Sequence, residues 1–209
     1  MAKYNKIFWL EDMPDFLERY FHKAKHLKLK RADLFSRTTF AHDFEEGSKK
    51  INGQYDLYIL DADFPTVCEP EHRQKTEKCL KMIQENKWEY RRILHCTDDT
   101  EVNNFAKFYR QFLTENKNKV VVLSMSSLAP IIAFALNLPF YCKGGLDEKE
   151  CKNDAKLWQD HIKRETEIKD DELERICAKF NVNRKSLDLS GLEKYECGAG
   201  IDFIKKYLL

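Results

Sequence analysis

The chain reads as an α/β domain, a doubly wound parallel sheet of five or six strands, continued by a helical C-terminal extension. Three observations predict this. Short apolar runs at residues 6–10, 56–61 and 119–123 alternate with stretches of helical spacing. Strands that alternate with helices build parallel sheets covered on both faces. Two of those runs stop on carboxylates, Glu11-Asp12 and Asp61. In open α/β sheets the carboxyl ends of the strands are where ligands and chemistry are found. Beyond Leu146 charged residues dominate and the strand pattern stops, which divides the chain into residues 1–145 and 146–209.

Taken in order, residues 6–10 (Lys-Ile-Phe-Trp-Leu) give the first strand. Pro14 suits the first turn of the next helix, in which Phe16, Leu17, Tyr20, Phe21 and Ala24 recur at helical spacing. Residues 33–40, with Phe35, Thr38, Thr39 and Phe40, make a weaker second strand. Residues 43–51 make a short helix, and Asn52-Gly53 is a turn. The run Leu57, Tyr58, Ile59, Leu60 has the composition of a buried strand. Pro65 bars a central strand from continuing, so Asp61 falls at its carboxyl end. A polar loop through Pro70 leads to a helix over 72–86.

Residues 92–97 read as a further strand, with His95 most simply a core histidine. Asp98, Asp99 and Glu101 then place acids at the positive end of a helix over 101–114. The aromatic stripe of that helix (Phe105, Phe108, Tyr109, Phe112) is most simply core. Residues 119–123 are a buried strand ending on Ser124, a helix starts near Pro130, and 139–143 is a short strand broken by Gly144-Gly145. The total is one strand more than a five-stranded doubly wound sheet needs. In the extension, helices are expected at 148–166, 170–180 and 200–208, packing on the sheet domain through Leu157, Trp158 and Ile162.

Composition narrows the function. With 43% hydrophobic residues the chain can build a real core, and a formal net charge of +1 gives no global attraction to nucleic acid or anionic membrane. The longest apolar stretch, 128–140, is too short to span a bilayer and is interrupted by Pro130, Asn137 and Pro139. Seven cysteines, an odd number with no Cys-x-x-Cys pair and no secretory leader, fit reduced thiols in a cytoplasmic protein.

Glu11, Asp12 and Asp61 are the expected site. Carboxylates converging at one sheet edge repel each other, and a hard divalent cation with oxygen ligands relieves the repulsion. Mg²⁺ is the usual occupant, since it accepts one or two carboxylates and keeps several waters for a phosphate to replace. An Asp so placed can also act as a nucleophile toward a phosphoryl donor.

These residues carry a resemblance. Leu10-Glu11-Asp12-Met13-Pro14-Asp15 looks like the first strand and helix start of a response-regulator receiver domain, in which an acidic pair holds Mg²⁺. Tyr55-Asp56-Leu57 through Asp61 and Pro65 is similar to the third strand of that family, whose final Asp accepts the phosphoryl group. Ser124 matches its switch hydroxyl, Phe140 its aromatic switch residue, and Lys143 its phosphate-binding lysine. The resemblance covers roughly residues 4 to 145. It implies a flavodoxin-like sheet, a place in two-component signalling, and a regulatory domain rather than an enzyme. The implied partners are a histidine kinase or a downstream effector protein, with a homodimer as a further candidate.

The sequence also departs from the family. Lys143 is followed by Gly144 instead of proline, and the segment between Asp61 and Ser124 is longer by about one strand and one helix. A second alignment makes 92–97 the fourth strand, with Thr97 as the switch hydroxyl. Either way the domain can be a working receiver or a degenerate pseudo-receiver acting through protein contacts.

Two competing readings stand beside it. Glu11 with Asp61-x-Asp63 resembles the metal-binding pattern of Toprim nucleases, in which two metals support phosphodiester cleavage, although Asp12 stands where that pattern has glycine. Residues 173–187 have the rhythm of a helix-turn-helix, but the acids at 188–196 argue against an approach to DNA phosphates.

Overall fold

The computed structural model describes residues 3–23, 27–51, 54–85, 101–126, 129–144 and 195–209, with isolated positions 160, 163, 174, 175, 177, 178 and 183. Six parallel strands form one sheet: β1 (Ile7–Leu10), β2 (Thr38–Ala41), β3 (Leu57–Leu60), β4 (Val120–Ser124), β5 (Phe140–Cys142) and β6 (Cys197–Ala199). Their order is β2-β1-β3-β4-β5-β6. The first five strands follow the flavodoxin-like order, and β6 extends the sheet beyond β5.

The strands read as continuous apolar runs because both faces are covered. Phe8, Leu10, Tyr58, Leu60, Val120, Val122 and Phe140 belong to one core. On that face lie α3 (Phe44–Lys50), α5 (Glu101–Phe112) and α6 (Ala129–Leu136). Ile7, Trp9, Leu57, Ile59, Val121, Leu123 and Tyr141 belong to the opposite core. It is completed by α1 (Phe16–Lys23), α2 (Arg31–Arg37), α4 (Pro70–Gln84) and the chain end. Period-two alternation of side chains sorts each strand between these cores.

Two local outcomes differ from the sequence expectation. Residues 31–37 are helix, and β2 begins only at Thr38. An i,i+4 ion pair of Arg37 Nε with Asp33 Oδ2 (3.4 Å) and the Thr38 hydroxyl on the Leu34 carbonyl (2.7 Å) favour the helix there. The second difference is β6, which lies in a region where helices alone are expected. The helix expected over 200–208 is present as α7 (Gly200–Phe203), continued by a π-helical turn over Ile204–Leu208.

This chain end is tied into the sheet domain. Tyr141 and Tyr207 both donate to Glu196 Oε1, at 2.6 and 2.7 Å, and Lys206 pairs with Glu196 Oε2 at 2.7 Å. Tyr195 packs edge-on against Phe134 and donates to the Leu138 carbonyl at 2.8 Å. It helps cover α6, which is buried along its whole length and so needs a layer on its outer side.

Gly200 shows how close the fit is. A Cβ there would stand 2.6 Å from the Tyr20 hydroxyl and 3.0 Å from its ring. Gly200→Ala is therefore expected to destabilise by about 1–3 kcal/mol through overpacking. Urea unfolding checks this: an unchanged midpoint would mean that the Tyr20 ring yields freely.

The strand expected at 92–97, with His95, lies outside the described residues. So do Leu157, Trp158 and Ile162 and the helix-turn-helix rhythm of 173–187, apart from single positions. The positions described within 148–166 and 170–180 are helical. Among the described residues no helix is long and apolar enough to cross a membrane.

Candidate functional site

Parallel strands bring all their carboxyl ends to one edge. The connections reverse between β1 and β3, since the chain leaves β1 toward β2 and β3 toward β4. A crevice forms at such a switch point. Glu11 and Asp12 follow β1 and Asp61 follows β3, so the acids flank the crevice. Ser124 is the last residue of β4 and Lys143 follows β5. Each position is set by one more rung of the ladder. The Glu11 amide donates to the Ala41 carbonyl (2.8 Å), the Asp61 amide to Leu10 (3.0 Å) and the Lys143 amide to Ser124 (3.2 Å).

Four adjacent strands thus deliver three carboxylates, one hydroxyl and one ammonium to a single point. Ligand atoms of Glu11, Asp12 and Asp61 all lie within 4.8 Å of one another. Lys143 Nζ stands 2.6 Å from Glu11 Oε1 and also ion-pairs with Asp61 Oδ2. It lies 4.9 Å from the centre of the Phe16 ring, a cation–π contact. The Ser124 hydroxyl donates to Asp61 Oδ1 at 2.5 Å, and the Ala62 and Asp63 amides reach the same oxygen at 2.7 and 3.3 Å. Ser124 Oγ in turn accepts from the Ser126 amide at 3.1 Å.

The constellation is nearly sealed. Glu11 and Asp12 are fully buried, Asp61 is 5% exposed and Lys143 is 7% exposed. Burial pushes the Glu11 carboxyl well above the usual carboxylate range; Lys143 opposes that shift, while Asp61 and Asp12 add to it. For Lys143 burial works toward deprotonation, but Asp61, Glu11 and Asp12 outweigh it and raise its affinity for the proton. Three carboxylates facing one ammonium leave a deficit of two positive charges if all are ionised. A divalent cation matches that deficit.

The residues present fit such a cation. The donors are all carboxylate oxygens, the set a hard ion takes. Glu11 Oε2 is buried with no hydrogen-bond partner among the described residues, which for a buried polar atom is costly unless something else binds it. Glu11, Asp12 and Asp61 would hold the ion. It would neutralise the charge of the acids.

The sequence-predicted residues fall into three groups. Glu11, Asp12, Asp61, Ser124 and Lys143 meet in one site. The strand beside β3 is Val120–Ser124, so Ser124 is the hydroxyl brought to Asp61, while Thr97 lies outside the described residues. Phe140 is fully buried in the core of the α6 face, three residues before Lys143. Asp63 is half-buried and is not one of the three acids that converge.

Four supporting residues were not legible in the sequence. His42 Nδ1 stands 2.9 Å from the Glu11 carbonyl, and burial lowers the affinity of its ring for a second proton. His72 Nε2 and Thr76 Oγ1 approach the Asp12 carbonyl at 3.3 and 3.5 Å. The Tyr20 hydroxyl reaches the Lys143 carbonyl at 3.4 Å. All four act on backbone carbonyls, a contact that leaves no motif in the sequence. The described cysteines are free thiols, and burial pushes Cys79 and Cys197 up to about 12, which makes them poor nucleophiles.

No protein-family model, curated protein or solved structure matches the chain.

Proposed function

We propose that this protein is a receiver-type signalling module that accepts a phosphoryl group on Asp61 with Mg²⁺ held by Glu11, Asp12 and Asp61. The observation that carries the proposal is the convergence of these acids with Ser124 and Lys143 on the two oxygens of Asp61. Each member has a task in the transfer. An Asp61 carboxylate oxygen forms the bond to phosphorus, and the donor's bond to phosphorus breaks (P–O in acetyl phosphate, P–N in a phosphohistidine) with its electron pair leaving on the donor. Lys143 neutralises charge that develops on the phosphoryl oxygens. The Ser124 hydroxyl donates to Asp61 Oδ1 and accepts from the Ser126 amide, and by exchanging these bonds it could donate to a phosphoryl oxygen instead. That exchange and the shift of Lys143 away from the carboxylate are the local changes a partner protein would read.

The Toprim-like alternative, with Glu11, Asp61 and Asp63, loses support because Asp63 is not among the converging acids. Lys143 and Ser124, which contact Asp61 directly, have no task in it.

Intact-mass measurement with Mg²⁺ and acetyl phosphate tests the proposal. Wild type is expected to carry one phosphate adduct, and Asp61→Asn none. Asp63→Asn should behave as wild type. A wild type that binds Mg²⁺ but gains no adduct would overturn phosphoryl acceptance and leave a pseudo-receiver. Cleavage of DNA by wild type, lost equally in both variants, would point to the nuclease.

A further inference from the structure

The connection from β3 to β4 holds more than it needs. A single helix completes a parallel crossover, and α5 serves, since its Phe105 and Phe108 belong to the core that α3 and α6 share. Helix α4 lies on the opposite face, where its Cys79 and Ile83 join the core with α1.

The buried stripe of α4 is His72, Thr76, Cys79 and Ile83, spaced to line one helix face. The stripe is apolar at its far end and polar where it meets the acidic turn. His72 Nε2 and Thr76 Oγ1 both approach the Asp12 carbonyl, at 3.3 and 3.5 Å. The start of α4 is fastened in turn. Fully buried Asp43 accepts from Arg73 at 2.5 Å and from the Cys68 amide at 2.9 Å. The loop between Asp61 and α4 is fixed as well, because the Phe44 and Glu45 amides donate to the Pro65 and Thr66 carbonyls at 3.0 and 3.1 Å.

We infer that His72 and Thr76 are positioning residues and that α4 is a clamp on the acidic turn, setting the Asp12 backbone so that the Glu11 and Asp12 carboxylates face a cation together. This rests on the metal-holding role proposed above for those acids. Side chains support this turn from outside: His42 approaches the Glu11 carbonyl, His72 and Thr76 approach the Asp12 carbonyl, and Pro14 brings no N–H to it. Groups of this kind, one step out from the ligands, commonly govern metal affinity by about 10- to 100-fold.

The test uses the full chain and Mn²⁺ as probe, with affinity measured by electron paramagnetic resonance of the free ion. His72→Leu and Thr76→Val are each expected to weaken Mn²⁺ binding, His72→Leu by roughly tenfold or more. His72→Gln, which keeps a side-chain N–H, should recover most of the loss. Hydrogen exchange without metal supplies an independent readout at Met13, whose amide donates to Glu11 Oε1 at 3.1 Å. That amide should exchange faster in His72→Leu while the amides of β1 and β3 keep their protection. Unchanged Mn²⁺ affinity and unchanged Met13 exchange in both variants would overturn the clamp. So would equal losses in the Leu and Gln variants. A wild type that fails to bind Mn²⁺ would overturn the metal role itself, and Met13 exchange would then decide the clamp alone.

Discussion

Replacing Lys143 with methionine is expected to destabilise the protein by about 3–5 kcal/mol in the presence of a chelator. Methionine keeps much of the volume and removes the charge. Glu11, Asp12 and Asp61 would then share a buried site with no ammonium to offset them. Removing one partner of a buried ion pair costs more than the pair itself contributes, because the remaining charge is left desolvated. Two further results follow from the same physics. Saturating Mg²⁺ should restore part of the loss, since an ion that binds only the native state stabilises it by mass action, by ~2.7 kcal/mol at one hundred times its dissociation constant. The loss should also shrink in acid. The folded-state pKa of Glu11 lies above its ordinary range, so its protonated form suits the folded state, and that contribution fades as pH rises through the raised value. Urea unfolding at neutral and acidic pH, with EDTA or Mg²⁺, reads all three effects. A Lys143→Met protein as stable as wild type in EDTA at neutral pH would show that the three acids are not jointly ionised.

Phe108→Ala is expected to cost a similar amount, about 3–5 kcal/mol, for a different reason. Phe108 is fully buried at the centre of the α3–α5–α6 core. Its ring centroid lies 6.1 Å from Phe8, 5.7 Å from Phe44, 5.9 Å from Phe64 and 5.0 Å from Phe112. Gly47 comes so close that a Cβ there would stand 2.8 Å from the Phe108 ring. Truncation removes contacts from every side, and rigid neighbours on a sheet and two helices close the cavity only in part. The effect also reaches toward the site. Phe64 stands three residues after Asp61, and Asn104, one turn before Phe108, donates to the Phe64 carbonyl at 3.1 Å. Thermal unfolding would test this; a loss below about 1 kcal/mol would mean that the core collapses around the gap.

The sheet and most of its site were readable because physical constraints leave marks on the chain. A strand buried on both faces must be apolar throughout, and a strand ending at a site must stop on polar groups. Residues 6–12, 56–61 and 119–124 show both marks. Lys143 carries no such mark, and only its spacing from Phe140 in the receiver pattern singled it out. Of the strand expected over 33–40, residues 33–37 are helix instead: Phe35, Thr38 and Thr39 suggest a strand, although the Asp33–Arg37 spacing offers a helical ion pair. Strand β6 had nothing to show. Cys197, Gly198 and Ala199 form no apolar run, and they are a strand because β5 offers an open edge. Gly198 is required there, since a Cβ would stand 2.8 Å from the Tyr141 ring. His72 and Thr76 were equally silent, because a side chain that serves a distant backbone carbonyl is defined by the fold and not by its neighbours in sequence.

Strand β6 also bears on how the protein is made. Among the six strands described it is the last in chain order, and it pairs with a strand more than fifty residues earlier. Contacts of such long sequence separation form slowly. Until residues 195–208 leave the ribosome, β5 is an exposed edge and the core around Trp9 and Tyr141 lacks Phe203 and Tyr207. An unfinished chain with that edge open is a target for strand pairing with another nascent chain. The same final segment reaches the site loop, where the Gly200 amide donates to the Gly144 carbonyl at 3.2 Å, next to Lys143. Completion of the sheet and final placement of the site lysine thus come from one late event, so a chain stalled before residue 195 would lack the finished site as well as the closed edge.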